Sequence, residues 1–453
     1  MDNHQINNSD LPAAQPSEHT ESTNVQENTS SLSTEISKEE HRHHSGHHHS
    51  SHHHSHHHRH HHSGHRHHRH RFKKKKSKWN SKIILIASLA ILVFWLAFVV
   101  VDEIRGSRTS GGDPTSTTQS ASDTLVVELI NGEGVLVKDA VSKYLLKDLL
   151  SPENATITPH SFGNGARIDE QVPVALKFSV KKGYAISYKI ELADNNTFSN
   201  AEVSYIEATS GTYQFEHLYA NTTYYYRVTV YTSKGFDTQT GYFKTADTPR
   251  ILSIDGSRNV RDIGNWKTDS GKRIKQGLLL RGTELDGAVE SGYHVTNDGL
   301  VDLLEIYGIK TDMDLRSPSA SSKDALGSRV EHKYYNMVMY AAVFTEQGKE
   351  RVKEIFCDLA NADNYPIYLH CTYGCDRTGI VCYLLEALLG VSRGDCLKEY
   401  GLSNMQISNI RVVEEGLKAY EGNTLKEQAE SYLLSCGVSA YQIQNIRTIF
   451  LGE

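Results

Sequence analysis

The 453-residue sequence predicts two folded domains, a β-sandwich followed by an α/β domain, with a single membrane-spanning helix before them. Three observations lead to this expectation. Residues 83–101 form an uncharged apolar stretch, residues 171–247 alternate polar and apolar side chains with a period of two, and residues 250–453 alternate helix and strand patterns. A chain of this length is long enough to form two or three ordinary hydrophobic cores.

Residues 1–78 contain too few large apolar side chains to form a core. Their burial would not offset the conformational entropy lost on folding, so we predict a disordered segment. Residues 41–70 hold 19 of the 26 histidines. This tract could bind Zn²⁺, Ni²⁺ or Cu²⁺ loosely, could gain charge at low pH and bind anionic lipid, or could be a solvated tail, and the three interpretations stay open.

The apolar stretch at residues 83–101 has the length of a bilayer crossing. At ~1.5 Å rise per residue its helix would span about 28 Å, close to the ~30 Å hydrocarbon core. Basic residues are concentrated before it, at Arg69, Arg71, Lys73, Lys74, Lys75, Lys76 and Lys78. The positive-inside rule therefore predicts a cytoplasmic N-terminus, a single transmembrane helix at residues 79–102 of the cell membrane, a flexible linker at residues 103–122, and all later residues outside.

Charge and cysteine content exclude two classes of protein for the part after the membrane. Residues 102–453 carry 36 Lys and Arg against 46 Asp and Glu, and this acidic balance argues against a nucleic-acid partner. All six cysteines lie at Cys357 or later, whereas a disulfide-dependent secreted fold would distribute them. We therefore expect a fold without essential disulfides and look for another role for at least one cysteine.

Residues 123–170 predict a short α/β segment, with a strand at 124–130 and a helix at 138–150. Residues 171–247 then show the short alternating runs of a β-sandwich. The stretch Leu218–Val228 resembles the fibronectin type III strand that carries a conserved tyrosine corner, with Tyr224 at the corner position. This resemblance implies a fold and leaves open whether the sandwich is a spacer or binds a ligand.

The segment His370–Gly379 has the composition of an anion site. It runs from a predicted buried strand, through a short loop, into a predicted helix. Loop amides and a helix N-terminus carry partial positive charge, and Arg377 adds a permanent charge with a planar fork. Because such surroundings lower the pKa of a thiol from ~8.5 to ~3.5–7.5, we predict that Cys371 is a nucleophilic thiolate.

The same segment contains the other groups that phosphoryl transfer requires. The Thr378 hydroxyl is placed to hydrogen-bond the thiolate and help it leave, and Asp376 could protonate the leaving group. We expect the phosphate oxygens to be held by the loop residues Thr372, Tyr373, Gly374, Cys375, Asp376 and Arg377.

These residues match the His-Cys-x5-Arg-Ser/Thr signature of cysteine-dependent phosphatases. The longer form, ending Asp-Arg-Thr-Gly, resembles the bacterial branch of atypical tyrosine and lipid phosphatases. The segments Arg258–Gly264, Gly277–Gly282 and Thr311–Ser317 resemble further elements of that branch in the same order, so the resemblance covers about residues 250–453. It implies a parallel-centred sheet flanked by helices, a phosphocysteine intermediate, and neither metal nor organic cofactor.

The resemblance also implies roles for individual residues. Cys371 is expected to be the nucleophile, Arg377 the phosphate clamp and Asp376 the general acid, with Asp314 as an alternative acid. Three further charged residues are expected to be structural braces: Arg261, Asp262 and Arg316. Cys375 or Cys382 could trap an oxidised Cys371 as a disulfide, although a cysteine without a redox role is the simpler interpretation.

Three functions remain open at this point. Family members that act on lipids often carry Lys where this chain has Cys375, so its absence favours a phosphotyrosine protein or another phosphomonoester as substrate. The second hypothesis is a lipid or inositol phosphatase. The third is a non-catalytic phosphate-binding or adhesion module in which the sandwich is the working part.

Overall fold

The computed structural model describes residues 124–453, apart from 132, 133, 135, 166 and 321–323. The tail predicted at residues 1–78 with its histidine tract, the transmembrane helix predicted at residues 79–102 and the linker predicted at residues 103–122 lie outside the described residues. Of the helices within the described ranges, none combines the length and the apolar character that a bilayer crossing needs.

Seven strands form two antiparallel sheets that pack on each other. Their bounds are β1 Leu125–Ile130, β2 Val174–Val180, β3 Ala185–Ala193, β4 Glu202–Glu207, β5 Thr212–Phe215, β6 Thr223–Thr232 and β7 Gly235–Lys244. The sheet orders are β1-β2-β5 and β4-β3-β6-β7. Both sheets contribute to one core, for example Leu176 and Phe178 from the first and Ile190 and Val228 from the second. The Tyr224 hydroxyl accepts the Tyr219 N–H at 2.9 Å, while the likeness to fibronectin type III domains stays a prediction.

The strand predicted within a separate segment at residues 123–170 belongs to the sandwich. β1 pairs with β2 along its whole length, from Leu125 opposite Val180 to Ile130 opposite Ala175. Leu136 still packs in the core of the sandwich, whereas the residues after it leave the sandwich, and we call residues 137–170 the insert. Because β1 lies before residue 171 and β2 lies after it, the predicted boundary at residue 171 does not separate two units. The sequence pattern identified the strand but carried no information about its pairing partner.

The insert packs on the α/β domain. It contains α1 (Asp139–Leu145) and two short 3₁₀ turns, Pro152–Asn154 and Pro159–Phe162. Its buried apolar side chains lie in the same core as the central helices of the α/β domain: Val137, Ala140, Val141, Tyr144, Leu149 and Ile168.

The α/β domain has a six-stranded sheet of order β12-β11-β13-β10-β9-β8. The strands are β8 Arg250–Ile251, β9 Arg261–Asp262, β10 Leu279–Gly282, β11 Thr311–Asp314, β12 Glu331–Tyr334 and β13 Ile367–His370. The four strands β12, β11, β13 and β10 run parallel to one another. At one edge β9 pairs antiparallel with β10, and β8 pairs antiparallel with β9. The parallel-centred sheet implied by the resemblance is therefore present.

Helices cover this sheet. They are α2 Asn297–Val301, α3 Glu346–Leu359, α4 Asp376–Leu389, α5 Arg393–Gly401, α6 Ser408–Leu417, α7 Leu425–Ser435 and α8 Ala440–Leu451. Strand β13 and the following helix α4 are the most buried pair, since every residue of β13 and residues 378–389 of α4 are buried. The first three residues of β13, Ile367-Tyr-Leu, are hydrophobic, as is common in strands of a parallel sheet that are covered on both faces. The loop between β13 and α4 thus lies at the carboxyl end of the central strand, where α/β sheets bind ligands.

The sandwich is joined to the α/β domain by buried polar contacts. Arg250 is 2% exposed and donates to the carbonyl oxygens of Leu218 at 2.9 Å and His217 at 2.6 Å, and to Asp262 at 3.1 Å. Its guanidinium also lies 4.2 Å from the ring centroid of Tyr219. The segment at residues 245–250, which connects the last strand of the sandwich to the α/β domain, is therefore held in place at its end by contacts to both domains.

Candidate active site

Residues Cys371–Cys375 form a tight loop that turns directly into α4. Gly374 has φ +65°, and a Cβ atom there would lie 2.2 Å from the carbonyl oxygen of Gly282. Only glycine fits this position, because both its backbone conformation and the close approach of β10 exclude a side chain. Cys371 is 3% exposed and lies at the base of the loop.

The carbonyl groups of the loop are held on the side away from Cys371. The Asn259 side-chain amide donates to the carbonyl oxygens of Tyr373 at 3.2 Å and Gly374 at 3.3 Å, and Arg281 donates to that of Gly374 at 2.6 Å. In a planar trans peptide the carbonyl and the next N–H point in opposite directions. The N–H of Gly374, which follows the Tyr373 carbonyl, accordingly points away from Asn259, and it helps to lower the pKa of Cys371.

A buried ion-pair network supports this arrangement. Glu399 of α5 accepts from Arg261 and from Arg281, each at 2.6 Å. Burial alone would raise the pKa of Glu399, but the two guanidinium groups lower it. Arg261 also donates to the Asn259 side-chain oxygen at 2.6 Å, so the network reaches the loop through both Arg281 and Asn259.

The surroundings of Cys371 favour its thiolate. Burial opposes ionisation, but hydrogen bonds from the Thr378 side chain and backbone N–H, the charge of Arg377 and the Gly374 N–H together lower the pKa of Cys371 below its usual value. The Thr378 hydroxyl is fully buried and makes no hydrogen bond to a nitrogen or oxygen atom in the described part of the chain, so it is available to the sulfur. The loop therefore stabilises a negative charge at the sulfur, as phosphate binding also requires.

Arg377 is the second residue of α4 and carries a permanent positive charge beside the loop. The side chain is half-buried, and one amino group lies 3.5 Å from the carbonyl oxygen of Leu315. Among the described residues no carboxylate forms an ion pair with it, so its planar fork is available to two oxygens of a bound phosphate.

The two candidate acids occupy different environments. Asp376, the first residue of α4, is half-buried, and burial raises its pKa despite the nearby charge of Arg377. Asp314 is completely buried and accepts from Arg316 at 3.0 and 2.7 Å. Asp314 is therefore held in a buried ion pair, whereas Asp376 is partly exposed beside the loop.

The predicted braces are fully paired. Arg316 contacts Asp314, Asp286 at 2.9 Å and Glu284. Asp262 accepts from Arg250 and from the N–H groups of Gly277 at 2.6 Å and Gly264 at 2.8 Å.

A histidine pair behind the loop was not found by sequence reasoning. His370 and His332 each lie 2.9 Å from one oxygen of buried Asp312. Burial would lower the pKa of His370, but the charge of Asp312 outweighs it and raises the pKa to about 9. The other ring nitrogen of His370 lies 3.2 Å from the Cys371 carbonyl oxygen, so a charged imidazolium is fixed at the start of the loop.

Tyrosine side chains surround the site. Tyr373 is 49% exposed, and the ring of Tyr293 meets it edge-on with centroids 5.9 Å apart. The Tyr340 hydroxyl donates to Asp376 and lies 3.1 Å from the hydroxyl of Tyr400.

The two cysteines of the redox hypothesis differ in their surroundings. Burial raises the pKa of Cys375, as does the charge of Cys371, and burial raises that of Cys382 to about 12. Cys382 is completely buried in α4, whereas Cys375 is half-buried in the loop itself. No set of three or more His, Cys, Asp or Glu side chains in the described ranges has the arrangement of a metal site.

Asn259, Arg281 and Glu399 are the supporting residues that sequence reasoning missed. Arg281 carried a usable signal, since a charged residue within the apolar strand Leu278-Leu-Leu-Arg281 must find a buried partner. Nothing local identified that partner as Glu399, which follows 118 residues later.

Comparisons with known proteins agree with this site. Residues 252–451 match the model of the tyrosine phosphatase family. A protein of Cupriavidus necator, named "putative tyrosine-protein phosphatase", is 26% identical over 182 residues, which cover 34% of this chain and 63% of that relative. The match thus spans less than two thirds of the relative's length. These similarities support a phosphatase activity for the α/β domain.

Two solved structures show weaker similarity. The core catalytic domain of the PP-IP phosphatase Siw14 from S. cerevisiae, in complex with citrate, is 15% identical, and the match covers 34% of this chain and 80% of that one with a TM-score of 0.23. A second structure of the Siw14 catalytic core is also 15% identical, with 34% and 85% covered and a TM-score of 0.26. Scores this low carry no argument about substrate.

Proposed function

We propose that this protein is a protein-tyrosine phosphatase that acts through a covalent phosphocysteine on Cys371. The observation that carries the proposal is the lowered pKa of a thiol that lies at the base of a loop whose amides and Arg377 face the same anion site. A non-catalytic phosphate-binding module would gain nothing from a stabilised thiolate.

The first chemical step forms the phosphocysteine. The Cys371 thiolate attacks phosphorus in line, a sulfur–phosphorus bond forms, and the bond from phosphorus to the ester oxygen breaks. Asp376 donates its proton to that departing oxygen, which leaves as the alcohol or phenol. Arg377 and the loop amides stabilise the charge on the three equatorial oxygens.

The second step regenerates the enzyme. Asp376, now ionised, takes a proton from water while the water oxygen attacks phosphorus and the sulfur–phosphorus bond breaks. Inorganic phosphate is released, and Cys371 leaves as a thiolate stabilised by the Thr378 hydroxyl. The net reaction is hydrolysis of a phosphomonoester with one water molecule.

Three features of the site support phosphotyrosine as the substrate. Because the sulfur is nearly inaccessible, a phosphate group must be carried down to it on a long, narrow side chain, as the ring of phosphotyrosine does. The mouth is bordered by the aromatic pair Tyr293 and Tyr373, which would pack against such a ring. Cys375 also provides no positive charge for a second or third phosphate group.

The topology belongs to the same proposal. The basic residues before the apolar stretch at residues 83–101 support a cytoplasmic N-terminus and a catalytic domain outside the membrane. Protease treatment of intact cells that express the protein with a C-terminal epitope tag tests this. Loss of the epitope is expected, and its full protection beside a cleaved surface marker would reverse the orientation.

The activity is tested on the full-length protein with detergent present throughout. We expect hydrolysis of para-nitrophenyl phosphate that persists in EDTA and is abolished in Cys371→Ser. Phosphotyrosine peptides and phosphoinositide vesicles are then compared at equal phosphate concentration, and a higher kcat/KM for the vesicles would replace phosphotyrosine by a lipid substrate. No turnover by folded protein in reductant from pH 5 to 8 would overturn the enzymatic proposal.

A further inference from the structure

The insert packs against two helices of the α/β domain. Tyr144 of α1 is fully buried, and its hydroxyl donates to the Lys398 carbonyl oxygen at 3.3 Å. Arg411 of α6 donates to the Leu149 carbonyl oxygen at 3.0 Å. Both contacts cross from a segment that starts and ends in the sandwich to helices of the α/β domain, so the insert has a fixed position relative to the catalytic loop.

The last turn of the insert places a carboxylate next to the residues that support the loop. One oxygen of Asp169 accepts the backbone N–H of Asn259 at 3.0 Å, and the other lies 3.1 Å from Arg167 and 3.5 Å from Arg258. Burial would raise the pKa of Asp169, but the Asn259 N–H and the two arginines lower it. The carboxylate is therefore ionised at neutral pH.

Asn259 occupies an unusual backbone conformation. Its φ is +54°, in the left-handed region that costs free energy for a residue other than glycine. In this conformation its side-chain amide reaches the carbonyl oxygens of Tyr373 and Gly374 and the hydroxyl of Ser403 at 3.1 Å. A charged acceptor on the backbone N–H of Asn259 is a direct means of holding that conformation.

The orientation of the Tyr373–Gly374 peptide links these contacts to the thiolate. Asn259 holds the Tyr373 carbonyl, and the N–H on the opposite side of the same peptide helps to lower the pKa of Cys371. If Asn259 relaxed to negative φ, this peptide would lose its amide donor and would keep only the Cys375 thiol, a weak donor that lies 3.2 Å from the Tyr373 carbonyl oxygen. The N–H would then no longer point steadily at the sulfur, and the thiolate would be less stabilised.

We propose that Asp169, contributed by the insert from the sandwich, is a positioning residue for the phosphate loop and acts on Cys371 through Asn259. The proposal deepens the proposed function, on which its catalytic consequence rests. It makes the sandwich and its insert a working part of the catalytic unit rather than a spacer, because the acidic side chain that fixes Asn259 is supplied from outside the α/β domain.

The test measures the thiolate directly. In the full-length protein, the rate at which iodoacetamide alkylates Cys371 is followed from pH 4 to 9, with the modified peptide identified by mass spectrometry. We expect Asp169→Ala to move the alkylation profile of Cys371 to higher pH and to lower kcat for para-nitrophenyl phosphate about tenfold, with a smaller effect on KM. Asp169→Asn keeps an acceptor oxygen but loses the charge, so it should give a smaller shift in the same direction.

Two further variants separate positioning from a general effect on folding. Glu170→Gln alters the neighbouring residue, which in the described part of the chain pairs with Lys138 and Arg167, and it should leave the alkylation profile and turnover unchanged. In a double-mutant cycle, Asp169→Ala should add little to Asn259→Ala, because both act on the same peptide.

Each outcome decides the proposal. A wild-type alkylation profile in folded Asp169→Ala, or an equal shift in Glu170→Gln, would overturn it, and additive effects with Asn259→Ala would show that Asp169 does not act through Asn259. If circular dichroism shows that Asp169→Ala is unfolded, Asp169→Asn decides by the same criterion. Alkylation of Cys371 needs no turnover. If the wild type has no phosphatase activity, the proposed function is wrong, but the alkylation profiles still test whether Asp169 acts on Cys371.

Discussion

Glu399 accepts a 2.6 Å hydrogen bond from Arg281, whose other amino group donates at 2.6 Å to the carbonyl oxygen of Gly374. The loop Cys371–Cys375, which we call the phosphate loop, is therefore held by the buried cation Arg281, and Glu399 neutralises the charge of Arg281 in the core. Arg281 therefore orients the backbone of the loop, whereas Arg377 forms no ion pair with a carboxylate in the described part of the chain and is the cation that we propose for phosphate binding.

The first prediction concerns the stability of this network. Glu399→Gln leaves Arg261 and Arg281 buried without their carboxylate, and removing one partner of a buried pair typically costs ~3–5 kcal/mol. We expect the urea midpoint of the α/β domain to fall accordingly. Glu305→Gln, which breaks an exposed pair with Arg329, should cost no more than ~1 kcal/mol, and equal losses in the two variants would contradict the role of Glu399.

The second prediction distinguishes the two acids. Asp376→Asn should lower kcat by ~10²–10⁴-fold for a phenyl phosphate with a poor leaving group and much less for para-nitrophenyl phosphate, whose leaving group needs little protonation. Asp314→Asn should instead lower stability, because it breaks the buried pair with Arg316. A leaving-group dependence found in Asp314→Asn and absent in Asp376→Asn would reverse the assignment.

The third prediction concerns the pH dependence of catalysis. Activity should fall at low pH as Cys371 gains a proton and at high pH as Asp376 loses one, and the raised pKa of Asp376 extends the upper limit beyond that of an ordinary aspartate. Tyr340→Phe removes a hydroxyl that donates to Asp376, and a carboxylate without that donor has a higher pKa. The descending limb of kcat against pH should therefore move to higher pH in Tyr340→Phe, and the ascending limb should stay in place. A shift of the ascending limb alone would contradict this role for Tyr340.

These residues also show what sequence alone could and could not predict. Cys371, Asp376, Arg377 and Thr378 lie within one turn of loop and helix, so their spacing determined their geometry directly. Asn259, Arg281 and Asp169 act on the same loop from strands and turns that are about 90 to 200 residues earlier, and no periodicity records such contacts. The sequence pattern likewise predicted the strand β1 but not its pairing with β2. Because that pairing was not predicted, the sequence analysis also missed that the insert starts and ends in the sandwich.

The fourth prediction follows from His370. Because its pKa is raised to about 9 in the folded protein, against ~6.5 unfolded, protonation of His370 stabilises the fold. This contribution is fully present below pH ~6.5 and is lost as pH rises through about 9. Urea midpoints measured from pH 6 to 9.5 should decline over that window in the wild type.

Asp312→Asn removes the charge that raises the pKa of His370, so the decline should be much smaller in this variant even though its stability at pH 6 is lower. His294→Gln, at an exposed imidazole, serves as the control and should keep the wild-type profile. An undiminished decline in Asp312→Asn would mean that another group titrates in this range and that Asp312 does not hold the imidazolium behind the phosphate loop.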